Sequence, residues 1–143
     1  MTPTYTLSHL TVEHCRVLVS ALDLFSRTHI GQFDEILRIY RADGRALHTL
    51  SPSEQNEVRA LIGVVHDMLT GMPRNASYSI LAHEVPDEAR VAWDLQQLVR
   101  HRVAWDAHPE GGIQVDFDEP RRSSHELPLP VIERAIVTLE RGP

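Results

Sequence analysis

The sequence contains no lysine, and each of its fourteen basic residues is an arginine. Walker-type phosphate loops, Schiff-base enzymes and lysine general bases all need a lysine amine, so these classes are excluded. An arginine-only chain can hold an anion only through planar guanidinium forks or backbone amides. A GC-rich coding genome produces the same bias, so arginine usage alone does not indicate a function.

Cysteine is almost as scarce, because Cys15 is the only one. Neither an intramolecular disulfide nor a multi-thiolate zinc site can form. No uninterrupted apolar run approaches the length of a membrane span, and the N-terminus lacks the basic-then-apolar order of a signal peptide. A cytoplasmic protein without membrane contact is therefore expected. The net charge of −6 disfavours non-specific binding to nucleic acid.

What is present is an ordinary globular composition. The chain has 143 residues, of which 42% are hydrophobic and 24% charged. This length predicts one domain spanning residues 1–143, large enough to form a core without metal or disulfide support.

Three segments have the apolar spacing of helices. The first spans about 12–41 behind a Thr11 cap, as one long helix or two collinear ones, and Gly31 marks a kink or a close helix contact within it. The second begins at Ser51-Pro52-Ser53-Glu54, stops at Gly71, and carries its apolar residues on one face. These residues are Val58, Leu61, Ile62, Val65, Met68 and Leu69.

The third helix opens at Pro86 and ends at residues 108–112, and a short final helix is predicted after Pro130. A turn is predicted at Asp43-Gly44. Residues 118–130 are polar and contain proline, so they are interpreted as a loop or arm.

Alternating polar and apolar residues predict strands at 4–10 and 113–117, which could pair, and a third short strand at 78–81. The predicted fold class is α+β, with three to four helices packed on a small antiparallel sheet of two to three short strands.

No catalytic constellation is found. The nine histidines form no H-E-x-x-H pair, and the acidic residues Asp116, Asp118 and Glu119 are interpreted as a solvated strand end rather than a two-metal site. We therefore predict no metal, no cofactor and no enzymatic activity. The enzymatic alternative would use His101 as a general base.

Polar side chains at helical spacing supply the candidate ligand contacts. Arg27 lies one helical turn after Asp23. The two side chains could form an exposed ion pair, or Arg27 could reach an anionic ligand. Arg90, Asp94, Gln97 and His101 line one stripe of the third helix, either as a solvated face or as a site for a polar ligand. Arg74 and Asn75 precede that helix, and its N-terminal amides favour a phosphate.

Aromatic residues supply the remaining contacts. Tyr78 or Trp93 could stack on a base, and Trp93 and Trp105 are explained equally by a homo-oligomeric interface or by a core.

Five stretches of the sequence are similar to small phage and prophage proteins. They are residues 21–27, 31–36, 75–78, 87–92 and 109–113. The chain also resembles phage anti-Thoeris sponge proteins, which bind a cyclic ADP-ribose immune signal without cleaving it. That resemblance implies a homo-oligomer in the host cytoplasm, with ligand pockets between protomers and Arg27 facing the nucleotide.

Two functions follow as hypotheses. The first is a phage-encoded, non-enzymatic anti-defence protein that sequesters a small anionic nucleotide-type signal through Arg27, Arg74, Asn75, Tyr78 and Arg90. The second is a phage accessory protein that binds and inhibits or adapts a host or phage protein.

Overall fold

A computed structural model describes residues 3–42 and 49–135 of the chain. These residues form helices α1 (Val12–His29), α2 (Asp34–Ala42), α3 (Pro52–Thr70) and α4 (Asp87–Ala107), followed by a 3-10 turn at Val115–Phe117. The principal helix–helix contact is between α1 and α4. None of the helices in the described ranges has the length and apolar character needed to cross a bilayer.

The helix ends agree with their sequence signals. The Ser51 hydroxyl accepts a hydrogen bond from the Glu54 amide at 3.3 Å, and the Glu54 carboxylate accepts one from the Ser51 amide at 2.7 Å. Gly71 closes α3 in a left-handed conformation with φ of 65°. Thr11 caps α1 as predicted, with His14 as its reciprocal partner.

Gly31 separates α1 from α2, so residues 12–41 form two helices rather than one. Its φ of +89° lies in the left-handed region that favours glycine. A Cβ at this position would lie 3.2 Å from both the Met72 Cε and the Thr70 Cγ2 atoms. Of the two predicted roles of Gly31, a kink or a close helix contact, the glycine makes the close contact, against the C-terminal end of α3.

The predicted α+β class is wrong, because the described residues contain four helices and no strand. Residues 4–10 and 78–81 pair with nothing in a sheet, and the left-handed backbone of His9, with φ of 62°, interrupts the first of them.

The predicted strand at 113–117 fails because its aromatic residue packs locally. The rings of Phe117 and Trp105 meet edge to face at 5.4 Å, and the Trp105 indole N–H donates to the Phe117 carbonyl at 3.4 Å. This pair folds the segment against the end of α4, and Ile113 is left fully exposed. Trp105 thus packs against Phe117 of its own chain, but it stays 38% exposed and lies outside the buried core.

Two carboxylates of α4 hold the predicted arm at residues 118–130. Asp94 accepts hydrogen bonds from the Ser123 and Ser124 amides at 2.8 and 2.9 Å. Asp87 accepts one from the His125 amide at 2.8 Å and a weaker one from Glu126 at 3.4 Å. The arm is therefore fixed to α4 at two points, two turns of helix apart.

The predicted final helix does not begin where the sequence placed it, because residues 131–135 have no regular secondary structure. The rest of that segment, and the turn predicted at Asp43-Gly44, lie outside the described residues.

Acid should weaken the attachment of the arm to Asp87. The hydrogen bond from the His125 amide, with help from Glu126 and Arg90, holds the pKa of Asp87 below its ordinary value. A carboxyl with a lowered pKa stabilises the folded state above its unfolded pKa, and this stabilisation is lost as the pH falls through the folded pKa. The His125 amide resonance should therefore titrate with a midpoint below about 3.9, the pKa of an ordinary aspartate.

This midpoint is measured by NMR spectra recorded from neutral pH down to the pH at which the protein unfolds. Asp87→Asn is the control, since it should abolish the titration of the His125 amide. A midpoint at or above that of an unperturbed aspartate would show that the arm is not held by Asp87.

The apolar core is small. The buried apolar side chains of the described ranges are Ile30, Leu37, Val85, Ala89, Ala92 and Val99. The buried side chain of Gln96 has no hydrogen-bond partner for its amide among the described residues, which costs about 1–3 kcal/mol. Four residues of the predicted apolar face of α3, by contrast, are exposed: Leu61, Val65, Met68 and Leu69.

Candidate functional site

A groove of about 490 Å³ lies between α3, the α1–α2 connection and residues 74–77. Its volume is within the range of small-molecule sites, roughly 300–1,000 Å³. Polar and aromatic side chains along it include Phe33, Asp34, Arg59, His66, Arg74 and Asn75. We refer to this feature as the α3 groove.

Hydrogen bonds between two loop segments form the base of the groove. The Tyr78 amide donates to the Ile30 carbonyl at 2.9 Å. The Gln32 side-chain amide donates to the Ser77 hydroxyl at 3.3 Å. Since Gly31 turns the chain between these contacts, residues 30–32 and 77–78 lie side by side.

His66 connects α3 to the loop on the other side of the groove. Its ring is buried, with Nε2 2.9 Å from the Ala76 carbonyl oxygen and Nδ1 3.2 Å from the Asp67 carboxylate. A carbonyl oxygen can only accept, so Nε2 carries a proton that it donates. The Phe33 ring packs edge-on against this imidazole at 6.2 Å.

Arg74 lies across α3 because position 63 is glycine. A Cβ on Gly63 would be 2.7 Å from Arg74 Nε, which is closer than packing allows. The Arg74 guanidinium donates to Asp67 Oδ2 at 3.0 Å. The hydrogen bond with His66, and then the one from Arg74, lower the pKa of Asp67, so this carboxylate is ionised at neutral pH.

Of the five residues predicted to bind a ligand, Arg74 and Asn75 line the α3 groove. Arg74 contacts α3 instead of the N-terminus of α4, near which the sequence had placed it. The Asn75 side chain makes no hydrogen bond within the described part of the chain, so its amide is available to a ligand.

Arg27 is used inside the protein. Its Nε lies 2.9 Å from both carboxylate oxygens of Asp23, and its Nη1 donates to Gln32 Oε1 at 2.7 Å. The guanidinium also lies 5.8 Å from the centre of the Trp93 ring. Arg27 therefore positions Gln32, which lines the groove, and does not line it itself.

Arg90 and Tyr78 also have structural contacts. Arg90 is 5% exposed and donates to the carbonyls of Ile80 at 3.0 Å and Ala82 at 2.6 Å. Tyr78 packs against the core, and its hydroxyl donates to the Thr70 carbonyl at 3.4 Å. Neither side chain lines the α3 groove.

Two other residues of the polar stripe on α4, Asp94 and His101, also bind the backbone of their own chain. Asp94 holds the arm, and His101 Nδ1 lies 3.1 Å from the Asp116 carbonyl oxygen. These side chains bind irregular segments of their own chain, which was neither of the two alternatives predicted for the stripe. Gln97 lines a second groove, of about 890 Å³, together with Trp93, Arg121 and Arg122.

Sequence reasoning missed Arg59, Gly63 and His66. Their spacing of four and three residues places them on one side of α3, facing the loops. That spacing was visible in the sequence, but the apolar residues on the opposite side of the helix gave the stronger signal.

The described residues contain no group of three histidine, cysteine or acidic side chains arranged to hold a metal ion. No family model, curated protein or solved structure matches the chain. The resemblance to phage proteins and to sponges of an immune signal therefore has no match to support it.

Proposed function

We propose that the chain binds a small anionic ligand of nucleotide size in the α3 groove and releases it chemically unchanged. The observation that carries this proposal is the convergence of Arg59, Arg74 and the Asn75 amide on one groove of about 490 Å³. Guanidinium and amide N–H groups are the donors that bind phosphate oxygens.

Arg59 is the most available of these donors. Its guanidinium donates to Asn56 Oδ1 of the same helix at 3.1 Å and has no carboxylate partner in the described ranges. Arg74 shares its charge with Asp67. An incoming phosphate would therefore gain most from Arg59, with Arg74 and Asn75 completing the contact.

The opposite wall suits the rest of a nucleotide. Phe33 offers an aromatic surface to a base, and the exposed carboxylate of Asp34 can accept hydrogen bonds from ribose hydroxyls. A groove lined by both guanidinium groups and an exposed carboxylate favours an anion that also carries hydroxyl donors. Inorganic phosphate would use the guanidinium groups alone.

Two of the three acid–base groups that line the groove, His66 and Glu35, are held in structural contacts, which supports binding without turnover. Both ring nitrogens of His66 have partners, and Glu35 is paired with Arg38 and lies 3.9 Å from Arg27. Asp34 has no charged partner within the described ranges that would orient it as a general base.

A thermal-shift panel of ADP-ribose, cyclic ADP-ribose and cyclic dinucleotides tests this proposal. A ligand present at a hundred times its Kd stabilises the protein by about 2.7 kcal/mol, which raises the Tm by several degrees. Arg59→Ala and Asn75→Ala should reduce the shift, and Arg16→Ala, an exposed arginine on α1, should leave it unchanged. Mass spectrometry should recover the ligand intact.

Three results would contradict the proposal. They are a panel without any shift, a shift that survives both groove substitutions, and disappearance of the ligand as a chemical species. The last would indicate an enzyme.

A further inference from the structure

Five large apolar side chains form a continuous stripe on α3, which we call the outer stripe. They are Leu61, Val64, Val65, Met68 and Leu69, with exposed fractions from 46% to 80%. Their spacing of three and four residues places them on one side of the helix. An apolar helix side of this kind is normally buried against another element.

The opposite side of α3 is the one that contacts the rest of the described chain. Gly63 receives the Arg74 side chain, His66 bonds the Ala76 carbonyl, and Thr70 lies beside Gly31. The outer stripe therefore points away from the body of the protein, and no described residue covers it.

The outer stripe is as large as the largest apolar patch that an ordinary monomeric protein exposes, and such patches are often functional. Its five side chains expose on the order of 500 Å², close to the largest apolar patches of monomeric proteins. The stripe contains no ionisable side chain. The apolar core of the described residues is small, so the burial of the stripe against a second chain would add to the stability of the folded protein.

We infer that the outer stripe binds the outer stripe of a second copy of this chain, with the two α3 helices antiparallel. The arrangement follows from charge. The carboxylates of Glu54 and Glu57 lie at the N-terminal end of α3, and a parallel pair would bring the acidic ends of both copies together. An antiparallel pair separates them and sets the two helix dipoles in opposition.

The dimensions suit a two-fold dimer. α3 has 19 residues and is therefore about 28 Å long. With Val64 and Val65 near the two-fold axis, Leu61 of each copy meets Met68 of the other. Two stripes bury roughly 1,000 Å², the lower limit for a specific interface, before any flanking contacts are added.

Light scattering on the full chain tests this inference. The wild type should have twice the monomer mass of 16.2 kDa at micromolar concentration. Leu61→Glu combined with Met68→Glu should give a monomer with unchanged helical circular dichroism, because both side chains are exposed. Ile113→Glu, at a fully exposed position outside the stripe, is the matched control and should remain dimeric.

Disulfide cross-linking tests the orientation and does not depend on the charged variants. In a Cys15→Ser background, Val64→Cys lies near the two-fold axis and should form a covalent dimer on mild oxidation. Glu57→Cys should not, because the antiparallel arrangement keeps the two N-terminal ends apart.

Four results would overturn the inference. They are a monomeric wild type, a dimer that survives the double glutamate substitution, cross-linking through Glu57→Cys instead of Val64→Cys, and a monomer that binds lipid vesicles or a different protein through the stripe. Because the α3 groove lies on the other side of the helix, Arg59→Ala should leave the dimer intact. Failure of the dimer and failure of ligand binding are therefore distinguishable.

Discussion

Replacing Arg90 by alanine is expected to lower the free energy of unfolding by about 3–5 kcal/mol, the cost of breaking a buried charged network. The guanidinium is 5% exposed and donates to the carbonyls of Ile80 and Ala82, while its Nη1 lies 3.5 Å from Asp87. The substitution leaves both carbonyls without their donor and removes the contact that holds this loop against α4. Urea denaturation followed by circular dichroism measures the loss.

Arg74→Ala is the matched control, because it deletes the same side chain at an exposed position with one ion pair. It should cost about 0–1 kcal/mol. Arg90→Lys should be intermediate, since an ammonium cannot reproduce the planar fork that reaches two carbonyls. If Arg90→Ala costs no more than Arg74→Ala, Arg90 is not structural, and its place among the predicted ligand contacts would have to be reconsidered.

Replacing Asp94 by alanine is expected to cost about 3 kcal/mol, because a hydrogen bond to a charged group contributes about 1.5–3 kcal/mol and this carboxylate accepts two. Asp94 is 2% exposed, and its partners are the amides of Ser123 and Ser124. Without the Asp94 carboxylate, the arm keeps its hydrogen bonds from the adjacent His125 and Glu126 amides to Asp87.

Limited trypsin digestion measures how accessible the arm is, separately from the global stability of the protein. Cleavage after Arg121 and Arg122 should be faster in Asp94→Ala than in the wild type under native conditions. Asp94→Asn keeps one acceptor oxygen and should fall between the two. An unchanged cleavage rate in Asp94→Ala would mean that the arm is held by contacts other than this carboxylate.

The helix ends were predictable because their signals are local. Ser51, Pro52 and Glu54 satisfy the first turn of α3 by themselves, and Gly71 ends the helix through its own backbone conformation. These interactions depend on residues within one turn of each other, so a single sequence is enough to identify them.

The strands were not predictable from alternation, because a strand requires a partner that alternation does not supply. Residues 113–117 alternate correctly, yet Phe117 finds Trp105 on the adjacent helix and the segment closes into a 3-10 turn. The apolar spacing of α3 was likewise correct, but spacing does not say whether the apolar side faces the protein's own core or solvent.

The candidate site was predictable in part, for a related reason. Arg74 and Asn75 come from a loop between helices, where side chains have few local partners. Arg27 and Arg90 lie on helices, but their acceptors at Gln32 and Ile80 belong to irregular segments five and ten residues away, whose path helical spacing does not predict. Sequence alone identifies an arginine but not whether another part of the chain already binds it.

The most direct test of the central claim is an NMR titration of ¹⁵N-labelled protein with each nucleotide of the panel. We predict that at least one nucleotide shifts the amide resonances of Gly63, His66 and Asn75, together with the side-chain resonance of Arg59. Shifts confined to Trp93 and Arg121 would move the site to the second groove. No shift with any nucleotide would contradict the proposal that the α3 groove binds a ligand of this class.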